Sequence, residues 1–165
     1  MSTTIARHLG LLTAAAATLA LGSSLAFAQS GHFLTGGNNA PSCTDEGVFV
    51  RCTGSVAGLG GTTFEIRVAA SGTASVVCIN PGGNRAPGQD TSVNVAGTSG
   101  PLATPRNGRY RFTIETDDPG PLPSTPTCPN AQWTAQITDV TFDTATLSLF
   151  EDNVQVDQVV VLVSP

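Results

Sequence analysis

The sequence predicts an all-β protein, an antiparallel β-sandwich of about eight strands held by two disulfides. Apolar and polar residues alternate in most segments after residue 42, which is the pattern of strands with one buried and one solvated face. Glycine, proline and asparagine separate these segments, as they do at turns between strands. The four cysteines, an even number, are typical of a disulfide-bonded chain from an oxidising compartment.

Eight segments carry the strand pattern. The second illustrates it, because Phe64, Ile66 and Val68 share one face while Glu65 and Arg67 share the other. In chain order the segments are residues 47–54, 62–69, 73–79, 91–96, 108–116, 131–138, 140–150 and 154–163. Beyond the N-terminal region no segment shows a sustained helical period. We therefore expect two packed antiparallel sheets of immunoglobulin-like or related type, with a barrel as the alternative.

The first 28 residues have the composition of a signal peptide. Arg7 and the amino terminus supply positive charge, and the apolar stretch from Leu9 to Leu21 is shorter than the roughly 20 residues that span a membrane. The small residues Ala26 and Ala28 place the cleavage site after Ala28. The expected product is a secreted protein, extracellular or periplasmic, with no transmembrane segment after cleavage.

The mature chain of 137 residues is expected to form a flexible N-terminal arm, residues 29–42, and a single β-sandwich domain, residues 43–165. It has no lysine, and its six arginines face twelve acidic residues, a formal net charge of −6. Nucleic acid and anionic membrane are unfavourable partners, because binding them needs a basic surface that releases counterions. The expected partner is an unknown protein or an envelope component, and the sequence predicts no oligomeric state.

The cysteines predict two disulfides, for which the sequence permits three pairings. We favour Cys43–Cys52, which closes a short hairpin, and Cys78–Cys128, which ties the end of a strand to a loop 50 positions later. Zinc is the alternative use of these residues. It is unfavourable because no C-x-x-C pair occurs and the mature chain has a single histidine, so neither a metal nor a cofactor is expected.

Two segments together resemble a known group of proteins. They are CINPGGNRAPGQ, residues 78–89, and CPNAQWTA, residues 128–135. They resemble uncharacterised small exported β-rich proteins predicted from the genomes of high-GC bacteria. The resemblance covers most of the mature chain; it implies secretion and a β-rich domain, and it brings no catalytic residues.

A glycine-rich loop is the first candidate binding site. Glycines permit close approach of a ligand to the backbone, and asparagine side chains hydrogen-bond local backbone. The candidate binding residues are Asn80, Gly82, Gly83, Asn84 and Arg85. The alternative is a structural connection shaped by the adjacent cysteine and prolines.

A proline-rich loop from Pro119 to Pro129 is the second candidate site. Its prolines favour a stiff, extended segment, and preorganisation of this kind lowers the entropic cost of binding, as in many protease inhibitors. The candidate protein-contact residues are Leu122, Ser124, Thr125 and Thr127. The alternative is a stiff surface connection without a target.

Carboxylates offer calcium binding or a glycosidase pair as further alternatives. These residues are Glu115, Asp117, Asp118, Asp139, Asp143, Glu151 and Asp152. The single mature histidine, His32, lies in the predicted arm, and no G-x-S-x-G motif occurs, so no catalytic residue is assigned. We expect a non-catalytic binding or structural role at the cell envelope or outside the cell. The alternatives are a secreted inhibitor-like protein acting through the proline-rich loop and a small carboxylate-dependent hydrolase.

Overall fold

The computed structural model of the protein describes residues 30–165. The predicted signal peptide, residues 1–28, and its cleavage site lie outside the described residues. Ten strands, one α-helical turn and a 3-10 turn at Gly37–Asn39 form most of the described chain. They are β1 (His32–Phe33), β2 (Ser42–Asp45), β3 (Val50–Ala57), β4 (Thr63–Ile79), β5 (Arg85–Pro87), β6 (Thr91–Thr98), β7 (Leu102–Ala103), β8 (Tyr110–Glu115), α1 (Ser124–Thr127), β9 (Thr134–Glu151) and β10 (Val154–Ser164).

The all-β class and the two disulfides are confirmed. Cys43 is bonded to Cys52 and Cys78 to Cys128, which is the pairing that the sequence favoured. All four cysteines are buried. The disulfides are consistent with an extracytoplasmic protein. Within residues 30–165, no helix is long and apolar enough to cross a membrane.

Hydrogen bonds link the ten described strands into one mixed sheet. Its main order is β1–β3–β2–β10–β9–β4–β5, with β8 paired to β3, and β6 and β7 paired to β4. The pairs are antiparallel except where β10 ends, because Val163 and Ser164 pair in parallel with Cys43 and Thr44. The division into two packed immunoglobulin-like sheets stays a prediction.

The alternation of apolar residues predicts the core correctly. Phe64, Ile66 and Val68 on β4 are buried, as are Leu147 and Leu149 on β9. Strands on the β3 side of the sheet and strands on the β4 side all contribute to this one core. The main buried side chains that join them are Phe33, Val50, Val56, Val93, Val95, Phe112, Ile114, Val140 and Phe142.

Two predicted strand breaks are absent, because β4 and β9 each run through the expected gap. The two strands pair along almost their full length, and β9 accommodates an extra residue at Thr138 and another at Asp143 as bulges. Gly72, which suggested a turn, lies inside β4 instead. A Cβ atom at this position would lie 2.7 Å from the carbonyl oxygen of Thr141, so this glycine permits close contact between paired strands.

The segment predicted as a flexible arm contacts the body of the protein. Phe33 pairs with Val56 through β1, is only 4% exposed, and packs edge-on against Phe112 with 5.8 Å between ring centroids. His32 is exposed, and its Nδ1 lies 3.0 Å from the carbonyl oxygen of Ser30. One aromatic side chain therefore anchors a segment whose composition suggested mobility.

Candidate functional site

The glycine-rich candidate loop is a tight turn between β4 and β5. The Gly83 amide donates to the Asn80 carbonyl oxygen at 2.9 Å, and the Asn84 amide donates to Asn80 Oδ1 at 2.9 Å. Gly83 has a φ of +81°, which glycine adopts without strain. The Asn80 side chain therefore shapes the turn, while Gly82, Asn84 and Arg85 are exposed.

The proline-rich candidate loop contains α1 and is only partly accessible. Leu122 packs against the core, and Thr127 is 3% exposed. The Cys128 amide donates to the Ser124 carbonyl oxygen at 2.6 Å, and Ser124 is half-buried. Thr125 is exposed. Thr125 is therefore accessible to a partner, whereas Thr127 is part of the interior.

The structure brings these two loops together at one end of the long strands. The Cys78–Cys128 disulfide joins them, and the Gln89 amide donates to the Thr127 carbonyl oxygen at 2.9 Å. A cleft between the loops is lined by Pro87, Gly88, Gln89, Pro126, Thr127, Cys128 and Pro129. We call six exposed residues of these two loops the disulfide-braced end. It comprises Asn84, Arg85, Pro87, Gln89, Thr125 and Pro126.

Several of the carboxylates considered for calcium or catalysis take part in contacts within the fold. Glu115 Oε1 accepts a hydrogen bond from Arg51 Nε at 2.7 Å, and Glu46 Oε1 accepts one from Arg51 Nη1 at 2.8 Å. Glu151 is fully buried, and its Oε1 accepts the Gly60 amide at 3.1 Å. Among residues 30–165, no group of three or more His, Cys, Asp or Glu side chains is placed to hold a metal ion.

Asp152, in the turn between β9 and β10, accepts hydrogen bonds from the start of β4. Its carboxylate accepts the hydroxyl of Thr62 at 2.7 Å and the backbone amides of Thr62 and Thr63. The hydrogen bond from the Thr62 hydroxyl, followed by those from the two amides, lowers the pKa of Asp152 to about 2. These hydrogen bonds hold the turn against the loop that precedes β4.

We expect the substitution Asp152→Asn to destabilise the protein near neutral pH and to have less effect in acid. The pKa of Asp152 is lower in the folded chain than its ordinary 3.8, so the ionised carboxylate stabilises the fold above that pH. This stabilisation is lost as the pH falls toward 2. Urea unfolding of both proteins across this range measures it, with exposed Asp118→Asn as control. A difference between wild type and D152N that stays constant with pH would contradict the prediction.

Arg109 and Arg111 form a site that the sequence pattern did not single out. They flank Tyr110 at the start of β8 and line a depression together with Asn39 and Ser55. Both arginines are exposed, and neither takes part in an ion pair within the described chain. Two guanidinium groups without carboxylate partners suit an anionic group. The spacing of the two arginines in the sequence could have identified this pair, because residues two apart in an extended segment share a face.

The comparisons with known proteins identify no family. No protein-family model and no curated protein matches the chain. Among solved structures, the chain is similar to a calcium-binding mutant of Bacteroides uniformis β-glucuronidase 2, with 15% identity and a TM-score of 0.32. It is also similar to Bacteroides uniformis β-glucuronidase, with 14% identity and a TM-score of 0.33. Each likeness covers 79% of this chain and 14% of the other, and at such TM-scores it carries no argument.

Proposed function

We propose that this chain is an exported, non-catalytic binding domain that contacts a protein or another component of the cell envelope or its surroundings through the disulfide-braced end. One observation carries the proposal: the Cys78–Cys128 disulfide, whose cysteines are 50 positions apart in sequence, joins two loops into one surface. Binding through such a surface costs little ordering entropy, because the loops are held before a partner arrives.

The chemistry of the disulfide-braced end suits a neutral or mildly acidic partner. Arg85 is its one charged side chain, and Asn84 and Gln89 offer amide donors and acceptors. Pro87 and Pro126 supply rigid apolar contacts beside them. A mixture of rigid apolar and polar groups is typical of protein-binding surfaces.

We expect the triple substitution of Asn84, Arg85 and Thr125 by alanine to weaken binding to purified cell envelopes of the producing organism by at least about tenfold. Co-sedimentation of the mature protein with these envelopes measures the binding. The melting temperature is expected to stay unchanged, because all three side chains are exposed.

Arg106→Ala is the matched control for this experiment. Arg106 is exposed in the turn before β8, at the opposite end of the long strands, and removing it changes the charge as Arg85→Ala does. It should leave binding unchanged. Equal binding by the triple variant and the wild type, or an equal loss with Arg106→Ala, would exclude the disulfide-braced end as the contact surface.

The inhibitor alternative rests on Thr125, which is exposed within the proline-rich loop. An inhibitor would lose potency against its protease when Thr125 is replaced, at an unchanged melting temperature. Thr127 cannot serve in this test, because its buried side chain contributes to the fold.

A further inference from the structure

A second surface lies on the outward face of β10, β9, β4 and β6, away from the core. The strand register places its residues in two rows of four. The first row is Leu162, Thr144, Ser71 and Asn94, and the second is Val160, Thr146, Ala69 and Ala96. We call these eight residues the outer patch. Their neighbours along each strand, such as Ala70, Ala145 and Val95, point into the core and are buried.

The outer patch contains two of the three large apolar side chains that are exposed in the described chain. Val160 is 63% exposed and Leu162 is 79% exposed, and they lie next to each other on one face of β10. Water-exposed aliphatic side chains that share a surface are typical of a contact site. The third, Val154, is 52% exposed and lies outside the patch, beside the turn between β9 and β10.

Next to Val160 and Leu162, the outer patch contains a shallow groove. A groove along β4 is lined by Ala69, Ser71, Asn94, Ala96 and Thr146, which are short side chains. The groove and the projecting residues are about 12 Å apart, two to three strand spacings across the sheet. A protrusion beside a matching depression is the geometry of a self-complementary surface.

The charges of the chain also favour a second copy as the occupant. With six arginines and twelve acidic residues in residues 30–165, most pairs of surfaces repel when two copies meet. Neither row of the outer patch contains a charged side chain. At its border, Arg67 is paired with Glu65 at 2.8 Å and therefore adds little net charge. Two copies that meet through these rows bring no charged side chains together within them, and the exposed carboxylate of Asp143, the bulge residue next to Thr144, lies at the other border of the patch.

We propose that two copies of this chain associate face to face through the outer patch. The twofold axis runs along the strands between β9 and β4, so that each row faces the same row of the other copy. Val160 of each copy then packs over Ala69 and Ala96 of its partner, and Leu162 packs over Ser71 and Asn94. The association leaves the disulfide-braced end free. A test of the association therefore does not depend on whether the proposed binding function is correct.

Sedimentation velocity of the mature protein at rising concentration tests the proposal. The expected result is a shift from monomer to dimer with a dissociation constant in the micromolar range, as for a small interface. The double substitution Val160→Ser and Leu162→Ser should weaken association at least tenfold. It should not unfold the chain, because both side chains are largely exposed. Ala96→Gln should weaken association as well, since it fills the groove without removing the protruding residues.

Val154→Ser is the matched control, because it removes an exposed valine from the same strand outside the patch. It should associate as the wild type does. A wild-type protein that stays monomeric at every concentration would overturn the proposal. So would dimerisation that survives both the double substitution and Ala96→Gln, or that Val154→Ser weakens equally.

Discussion

Replacing Cys78 and Cys128 together by alanine is expected to lower the free energy of unfolding by about 4 kcal/mol. The disulfide closes a loop with a sequence separation of 50, and closing a long loop removes much of the conformational entropy of the unfolded chain. The bond also fixes the two loops of the disulfide-braced end, so the same variant should lose envelope binding. Unfolding by guanidinium chloride, without added oxidant or reductant, measures the free energy of unfolding of both proteins.

The Cys43–Cys52 disulfide is the matched control. Its sequence separation is 9, so its removal should cost only about 2–3 kcal/mol. These two cysteines are already opposite each other in the pairing of β2 with β3, and their loss should leave the disulfide-braced end intact. Equal losses of stability in the two double variants would contradict the loop-closure explanation.

The substitution Gly97→Ala is expected to destabilise the protein by at least about 3 kcal/mol. Gly97 lies near the end of β6, and a Cβ atom there would overlap the carbonyl oxygen of Glu115. The backbone segments around Gly97 and Glu115 are both held in place by hydrogen bonds. Glu115 is paired with Arg51 of β3, and the Asp117 amide donates to the Ala96 carbonyl oxygen at 2.9 Å.

Gly120→Ala is the control for this prediction. A Cβ atom at Gly120 meets nothing within 4 Å, so the substitution should change stability by less than about 1 kcal/mol. Thermal unfolding followed by circular dichroism measures both variants. A melting temperature for Gly97→Ala close to that of the wild type would show that β6 and β8 can move apart.

The sequence predicted the parts of the fold that depend on local alternation. Val93 and Val95 alternate with Ser92 and Asn94, and the valines are buried while the polar residues are exposed. The period of two alone sets which face is buried, so such residues need no knowledge of the partner strand. The cysteine pairing was also predictable, because the short separation of Cys43 and Cys52 favours a hairpin.

Features that depend on contacts between distant segments could not be predicted. Gly72 resembles a turn residue in sequence, and only its pairing with β9 shows that it permits close packing. The burial of Thr127 depends on the Cys78–Cys128 bond and on the Gln89 hydrogen bond, neither of which local pattern describes. The outer patch likewise exists only because four strands meet in one register.

The parallel contact between β10 and β2 has a consequence for the order of folding. Ser164 Oγ donates to the carbonyl oxygen of Cys43 across 121 positions of sequence. Contacts over such separations cannot form until nearly the whole chain is present, and proteins rich in them fold in about milliseconds to seconds. A chain without β10 also leaves one edge of β9 unpaired. The contact with β2 and the pairing along β9 therefore both wait for the final strand of the chain.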